Sequence, residues 1–187
     1  MKKKLLAMVL TLALLPVISL SAGALEPQDF AGGSLSGLAA DKNALLVTDT
    51  FNKIIWRVEN GAVTRWAGKP GVADLHGEPS GAYVDAKLDE ARFMEPWAIA
   101  PYLDGYAVTD TAANVVRYVD GKVVRTAAGS GKRGQTNGSG ATVSFARPTG
   151  LAAGADGELY IADTDNGLIR RLDKQGKVTT WASGLEE

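Results

Sequence analysis

Three aspartates recur in matched settings along the 187-residue chain: Val47-Thr48-Asp49-Thr50, Val108-Thr109-Asp110-Thr111 and Ile161-Ala162-Asp163-Thr164, with the acids 61 and 53 positions apart. A carboxylate beside a hydroxyl is a ligand pair for a hard cation, and Asp163-Thr164-Asp165-Asn166-Gly167 has the opening spacing of a calcium loop. It lacks the distal bidentate Glu that such a loop uses, and it lies between two strand-like runs. The recurrence also has a structural explanation. A short acid at a strand-ending turn accepts the backbone N–H bonds that the turn leaves open, and a residue repeated in every unit follows from the architecture of the unit. We read Asp49, Asp110 and Asp163 in this second way and expect neither metal nor cofactor. His76 is the only histidine and cysteine is absent, which removes thiol chemistry, disulfides and any site needing two imidazoles. Acid–base chemistry would then fall to Asp74, Asp85, Asp89 and Glu95, which flank His76 in the long segment 69–95.

These residues hang on a repeated framework. Each Asp closes an alternating apolar strand, and a second apolar run begins five residues later at Ile54, Val115 or Leu168. A turn glycine follows the Asp at offsets of 12, 11 and 13 (Gly61, Gly121, Gly176), and a further strand leaves each of these turns. Upstream, Ser36–Ala40, Pro96–Ala100 and Pro148–Ala152 supply a strand of small residues to each unit. Apolar positions recur at two, not at 3.6, and only residues 86–95 have the pattern of a short helix. Four antiparallel strands per unit, repeated at about 30–68, 91–129 and 144–184, predict an all-β chain of three β-propeller blades. In such a fold Trp56, Trp66 and Trp181 are expected between blades, and Trp97 either there or at an exposed rim.

Lys2, Lys3 and Lys4 precede an apolar run from Leu5 to Leu20, and Ala22-Gly23-Ala24 offers a cleavage site, so residues 1–24 read as a signal peptide and 25–187 as the mature chain. The expectation is a secreted or cell-envelope protein of a bacterium, without stable membrane insertion after cleavage. Setting aside the three leader lysines leaves 17 basic against 21 acidic residues, a net charge of −4. An acidic chain without a Lys/Arg cluster lacks the footprint that displaces counterions from phosphates, which argues against a nucleic-acid partner.

Residues 145–181 carry a specific resemblance. Phe145-Ala146-Arg147-Pro148-Thr149-Gly150-Leu151-Ala152, then Leu159-Tyr160-Ile161-Ala162-Asp163-Thr164-Asp165-Asn166-Gly167-Leu168-Ile169-Arg170, looks like an NHL repeat nearly position for position. Phe93-Met94-Glu95-Pro96 with Val116-Arg117 repeats it more weakly, as does Val47-Thr48-Asp49-Thr50-Phe51-Asn52. There are departures: Trp56 stands where the family prefers Arg, and Asn114 lies four residues past its Asp instead of three. The resemblance implies a propeller of NHL type. Three blades do not close a ring, since propellers have about four to eight, so the chain is expected to be a partial propeller whose other blades are missing, or half of a six-bladed ring completed by a homodimer.

The function expected is a non-catalytic binding or scaffold module for a protein or cell-wall component. Its site residues would come from the two connectors, 69–95 and 130–146, which in propellers lie on the same face as the Asp-Thr turns. Arg92, Trp97, Arg133, Arg147 and His76 are the candidates, because Arg and Trp at an exposed rim are favoured anchors. The alternative is a lyase or lactonase of propeller type, with Asp74, Asp85, Asp89 or Glu95 at the channel mouth. Zinc-dependent lyases of related propellers use several His ligands, which this chain lacks.

Overall fold

The computed structural model describes residues 33–184, which form three antiparallel sheets. The expected signal peptide, 1–24, lies outside the described residues. Blade 1 contains β1 (Leu35–Asp41), β2 (Ala44–Asp49), β3 (Ile54–Glu59) and β4 (Ala62–Ala67), side by side in chain order. Blade 2 takes β5 (Ala86–Lys87), β6 (Pro96–Tyr102), β7 (Gly105–Asp110), β8 (Val115–Val119) and β9 (Val123–Ala128), in the order β6-β7-β8-β9-β5. Blade 3 takes β10 (Gly138–Ser139), β11 (Pro148–Ala153), β12 (Leu159–Asp163), β13 (Leu168–Leu172) and β14 (Lys177–Ala182), in the order β11-β12-β13-β14-β10.

The hairpins follow from local chemistry. Asn60 and Gly61 take φ values of 51° and 79°, the two left-handed residues of a tight turn that matches strand twist, and they fix the pairing of Val58 with Val63. Each strand pair then alternates its side chains between two faces, and both faces of blade 2 are buried. Toward blade 1, Phe93, Ile99, Val108, Val119 and Val124 meet Ala39, Leu46, Ile55 and Ala67. Toward blade 3, Ala100, Ala107, Val116 and Tyr118 meet Phe145, Leu159, Ile161, Leu172 and Val178. Burying a side chain of the size of Leu46 or Phe145 stabilises by roughly 1.5–3 kcal/mol, so these two seams hold the blades together.

Strands β1, β6 and β11 are innermost, and β6 packs on both of the others. Their small residues are a steric requirement. A methyl group on Gly37 would stand 2.6 Å from the Trp97 carbonyl oxygen of the neighbouring blade.

Two expectations are corrected. The segment 86–95 is not helical: Ala86 and Lys87 pair with Val124 and Val123, and Ala91 and Phe93 enter the seam between blades 1 and 2. Strand β10 likewise pairs with β14, so each connector adds a fifth strand to the outer edge of the blade it leads into and covers backbone groups there. The tryptophans also divide. Trp66 packs between blades, edge-on to Tyr106 at 5.9 Å, but Trp181 is 60% exposed on the free side of blade 3, because no fourth blade lies against it among the described residues. Trp56 is half-buried on the free side of blade 1.

Candidate functional site

The three repeated carboxylates are fully buried and each is surrounded by donors. Asp163 accepts from the Ala146 N–H at 2.7 Å, the Asn166 side-chain amide at 2.8 Å and the Arg170 guanidinium at 2.8 Å. Asp110 accepts from the Met94 and Glu95 N–H groups and from Arg117 at 3.1 Å. Asp49 accepts from the Ser34 and Asn52 N–H groups, the Asn52 amide and the Trp56 indole N–H at 2.9 Å. The seventh residue after each Asp therefore donates to it in all three blades, and in blade 1 an indole replaces the guanidinium. Burial pushes the Asp49 carboxyl up, but the Asn52, Trp56 and Ser34 donors outweigh it and hold the group below the usual carboxylate range. At Asp110 burial prevails over the Glu95, Arg117 and Met94 interactions and pushes the carboxyl up. At Asp110 and Asp163 the lone pairs are committed to backbone N–H groups with a guanidinium alongside, and at Asp49 to backbone, amide and indole N–H donors, so each carboxylate is used as an acceptor within its own blade. Among the described residues no group of three or more His, Asp or Glu side chains is placed to hold a metal.

The same arginines tie the connectors down. Arg117 donates to the carbonyls of Arg92 and Val84 and to Asp85, while Arg170 donates to the carbonyls of Ser144 and Thr136 and to Asn137. Their rings of contact end on Phe93 and Phe145, each about 5 Å below the guanidinium. Connector ends meet the Asp-Thr turns directly, through Thr111 N–H to Glu95 O and Asp165 N–H to Ala146 O. This is the shared face expected from the repeats.

On that face the candidates fall into two groups. Arg147 pairs with Glu95 at 3.5 Å, at the boundary of blades 2 and 3, and Trp97, two residues beyond Glu95, is 37% exposed. Arg133 pairs with Asp165, beside the Asn166 amide that donates to Gly134 O. Arg92 and His76 lie apart from these. Arg92 is half-buried with its guanidinium on Ser80 O, and His76 is exposed in a turn capped by Asp74, whose carboxylate accepts the His76 and Glu78 N–H groups. The acids of the enzyme alternative are dispersed: Asp74 caps that turn, Asp85 lies at the outer edge against Thr126 of β9, and Glu95 is held by Arg147.

One set of positioning residues escaped the sequence reading. The Thr48 hydroxyl accepts from Gly37 N–H and donates to Trp97 O in the next blade, and the Thr109 hydroxyl accepts from Ala98 N–H and donates to Thr149 O. The signal was present as a threonine before the Asp in two repeats and an alanine, Ala162, in the third.

Comparison with known proteins agrees with this geometry. Residues 145–172 match the family model of the NHL repeat. Protein SUPPRESSOR OF QUENCHING 1, chloroplastic, from Arabidopsis thaliana is 38% identical over 87 residues, which are 45% of this chain and 8% of that protein. A protein of unknown function from Bacteroides thetaiotaomicron superposes with a TM-score of 0.62 at 22% identity, over 84% of this chain and 37% of its own. A chain of the nidogen/laminin complex does so with a TM-score of 0.53 at 18% identity, over 80% of this chain and 48% of its own. This chain thus spans less than half the length of each, and at these identities the structural likenesses speak to fold. Residues 145–172 are an NHL repeat, and the chain that carries it folds as part of a β-propeller.

Proposed function

We propose that this chain is an exported binding module of the cell envelope, non-catalytic, whose connector face takes a protein partner. The observation that carries the reading is the division of labour among its polar residues. The recurrent acids are spent on holding turns and connectors, whereas Trp97, Arg147 and Arg133 stand exposed on the face those turns build. Partly exposed ion pairs such as Arg147–Glu95 and Arg133–Asp165 contribute little to folding, so a partner's carboxylates can replace Glu95 and Asp165 at small cost. Tryptophan and arginine are the residue types in which the binding energy of protein interfaces concentrates.

The test is retention of a partner from a cell-envelope extract on the immobilised protein. A Trp97→Ala, Arg147→Gln double variant should lose a band that the wild type keeps. A Lys174→Glu variant, altered in the β13–β14 turn at the opposite end of the strands, should keep it. Equal retention by all three sinks the assignment of the connector face. Turnover of any lactone or lyase substrate that disappears in Glu95→Gln sinks the non-catalytic reading.

A further inference from the structure

The blades repeat one pair of faces, and two of these faces have no blade against them among the described residues. The face toward the preceding blade is made by Tyr106, Val108, Val119 and Val124 in blade 2 and by Leu159, Ile161, Leu172 and Val178 in blade 3. Counted from the repeated Asp and the strand registers, the matching positions in blade 1 are Leu45, Val47, Val58 and Val63. Of these only Val47 is buried. Leu38, the counterpart of Ile99 on the inner strand, is 67% exposed where Ile99 is 5% exposed. The face toward the following blade is made by Leu46, Ile55 and Ala67 in blade 1 and by Ala107, Val116 and Ala128 in blade 2. Its counterparts in blade 3 are Tyr160, Ile169 and Ala182, with Trp181 edge-on to Tyr160 at 5.0 Å. An apolar cleft of about 230 Å³ lies there, bounded by Gly150, Ala152, Tyr160, Ala162 and Ile169.

We propose that blade 3 of one copy of this chain receives blade 1 of a second copy, and the reverse, so that two chains close one six-bladed ring. The two free faces are the two halves of the junction that the chain already makes twice internally. Neither is self-complementary, and each presents apolar side chains at the positions that its counterparts use between blades 1 and 2 or 2 and 3. Head-to-tail contacts of this kind close when the rotation per copy completes a circle, and twofold closure buries both free faces at once. The inner strands fit the same register. Gly37 lies against the Trp97 carbonyl of the next blade, whereas a methyl group on Gly150 would meet only the Ala162 Cβ at 3.2 Å, which leaves room for the Ser36–Gly37 backbone of the second copy. The hydroxyl that crosses the internal junctions from Thr48 and Thr109 is missing at Ala162, so the junction between copies lacks one hydrogen bond that the internal ones have.

Light scattering of the purified protein over a wide dilution series tests this, with circular dichroism to monitor the fold. The expected result is a particle of twice the protomer mass that dissociates on dilution. Trp181→Glu, at an exposed position, should raise the dissociation constant at least about thirtyfold, the loss of one hot-spot aromatic. Ala162→Thr should lower it by about two- to tenfold by restoring the crossing hydroxyl, an effect no folding defect can imitate. Leu38→Glu and Trp181→Glu chains, each impaired alone, should pair when mixed, because one junction is then intact. A protein that remains monomeric at every concentration overturns the proposal and leaves the faces to blades of another polypeptide. A dimer indifferent to Trp181→Glu and Leu38→Glu overturns it equally.

Discussion

Replacing each repeated Asp by Asn should produce three different losses of stability, ranked by what the partner at the seventh following position keeps. Asn retains shape and removes charge. At Asp163 the change strands the buried Arg170 guanidinium, whose other acceptors, the Ser144 and Thr136 carbonyls and Asn137, are neutral. Breaking a buried pair in this way costs about 3–5 kcal/mol. At Asp110 the guanidinium of Arg117 still holds Asp85, so the cost should fall to about 1.5–3 kcal/mol, the range of a hydrogen bond to a charged group. At Asp49 the partner is the neutral Trp56 indole, and about 1 kcal/mol is expected. Against a total stability of about 5–15 kcal/mol for a domain, the first loss is large and the last barely visible. Urea unfolding followed by tryptophan fluorescence measures all three, at one protein concentration because association and folding are linked. Equal losses at the three sites, or a greater loss at Asp49 than at Asp163, would refute the account of these acids as hubs graded by the charge of their partner.

Thr109→Val removes both the acceptor for Ala98 N–H and the donor to Thr149 O, and should cost about 1–3 kcal/mol in the same unfolding assay; Thr164→Val, at an exposed hydroxyl, should stay within about 0.5 kcal/mol, and similar values for both would remove the crossing-hydroxyl argument. Asp49 is held below the usual carboxylate range of about 3.9 when folded, so the unfolded chain takes up its proton at higher pH and stability falls as pH drops through the folded value. Urea midpoints should therefore decline from pH 5 toward 3, less steeply in Asp49→Asn, and an identical slope in the variant contradicts this. Gly37→Ala forces the inner strands of blades 1 and 2 apart and should cost about 1–3 kcal/mol; Gly150→Ala should leave the protomer nearly as stable and weaken only the pairing of copies, which light scattering separates from unfolding.

The blades were legible in the sequence because their signals are local: alternation by twos, Asp-Thr turns and hairpin glycines each act within a few residues. The connectors were not, since their short strands β5 and β10 pair with β9 and β14 about 40 residues away and have no alternation of their own. Trp181 was misplaced for a related reason. Its repeat position is one that a neighbouring blade covers, and repeat position alone does not supply the neighbour. Of the candidate site residues, Arg147 and Trp97 share the rim, whereas Arg92 and His76 are set by the internal hydrogen bonding of the first connector, which spacing does not reveal.

The departure at Trp56 bears on how the rim is built. Arg117 and Arg170 each span a blade's Asp and two points on the connector that leads into that blade, so the residue that neutralises the buried acid is also the one that fixes the rim loop. The loop contributes carbonyl oxygens, at Arg92 and Val84 or at Ser144 and Thr136, and any residue supplies a carbonyl. Apart from side chains such as Asp85, Asn137, Phe93 and Phe145, which also meet these arginines, the anchoring does not depend on which side chains the connector carries, and the rim can change its surface while its backbone stays anchored. An indole has one donor. At blade 1 Trp56 satisfies Asp49 with it. Among the described residues, the connectors stapled by an arginine lead into blades 2 and 3, which are the blades that carry Trp97, Arg133 and Arg147.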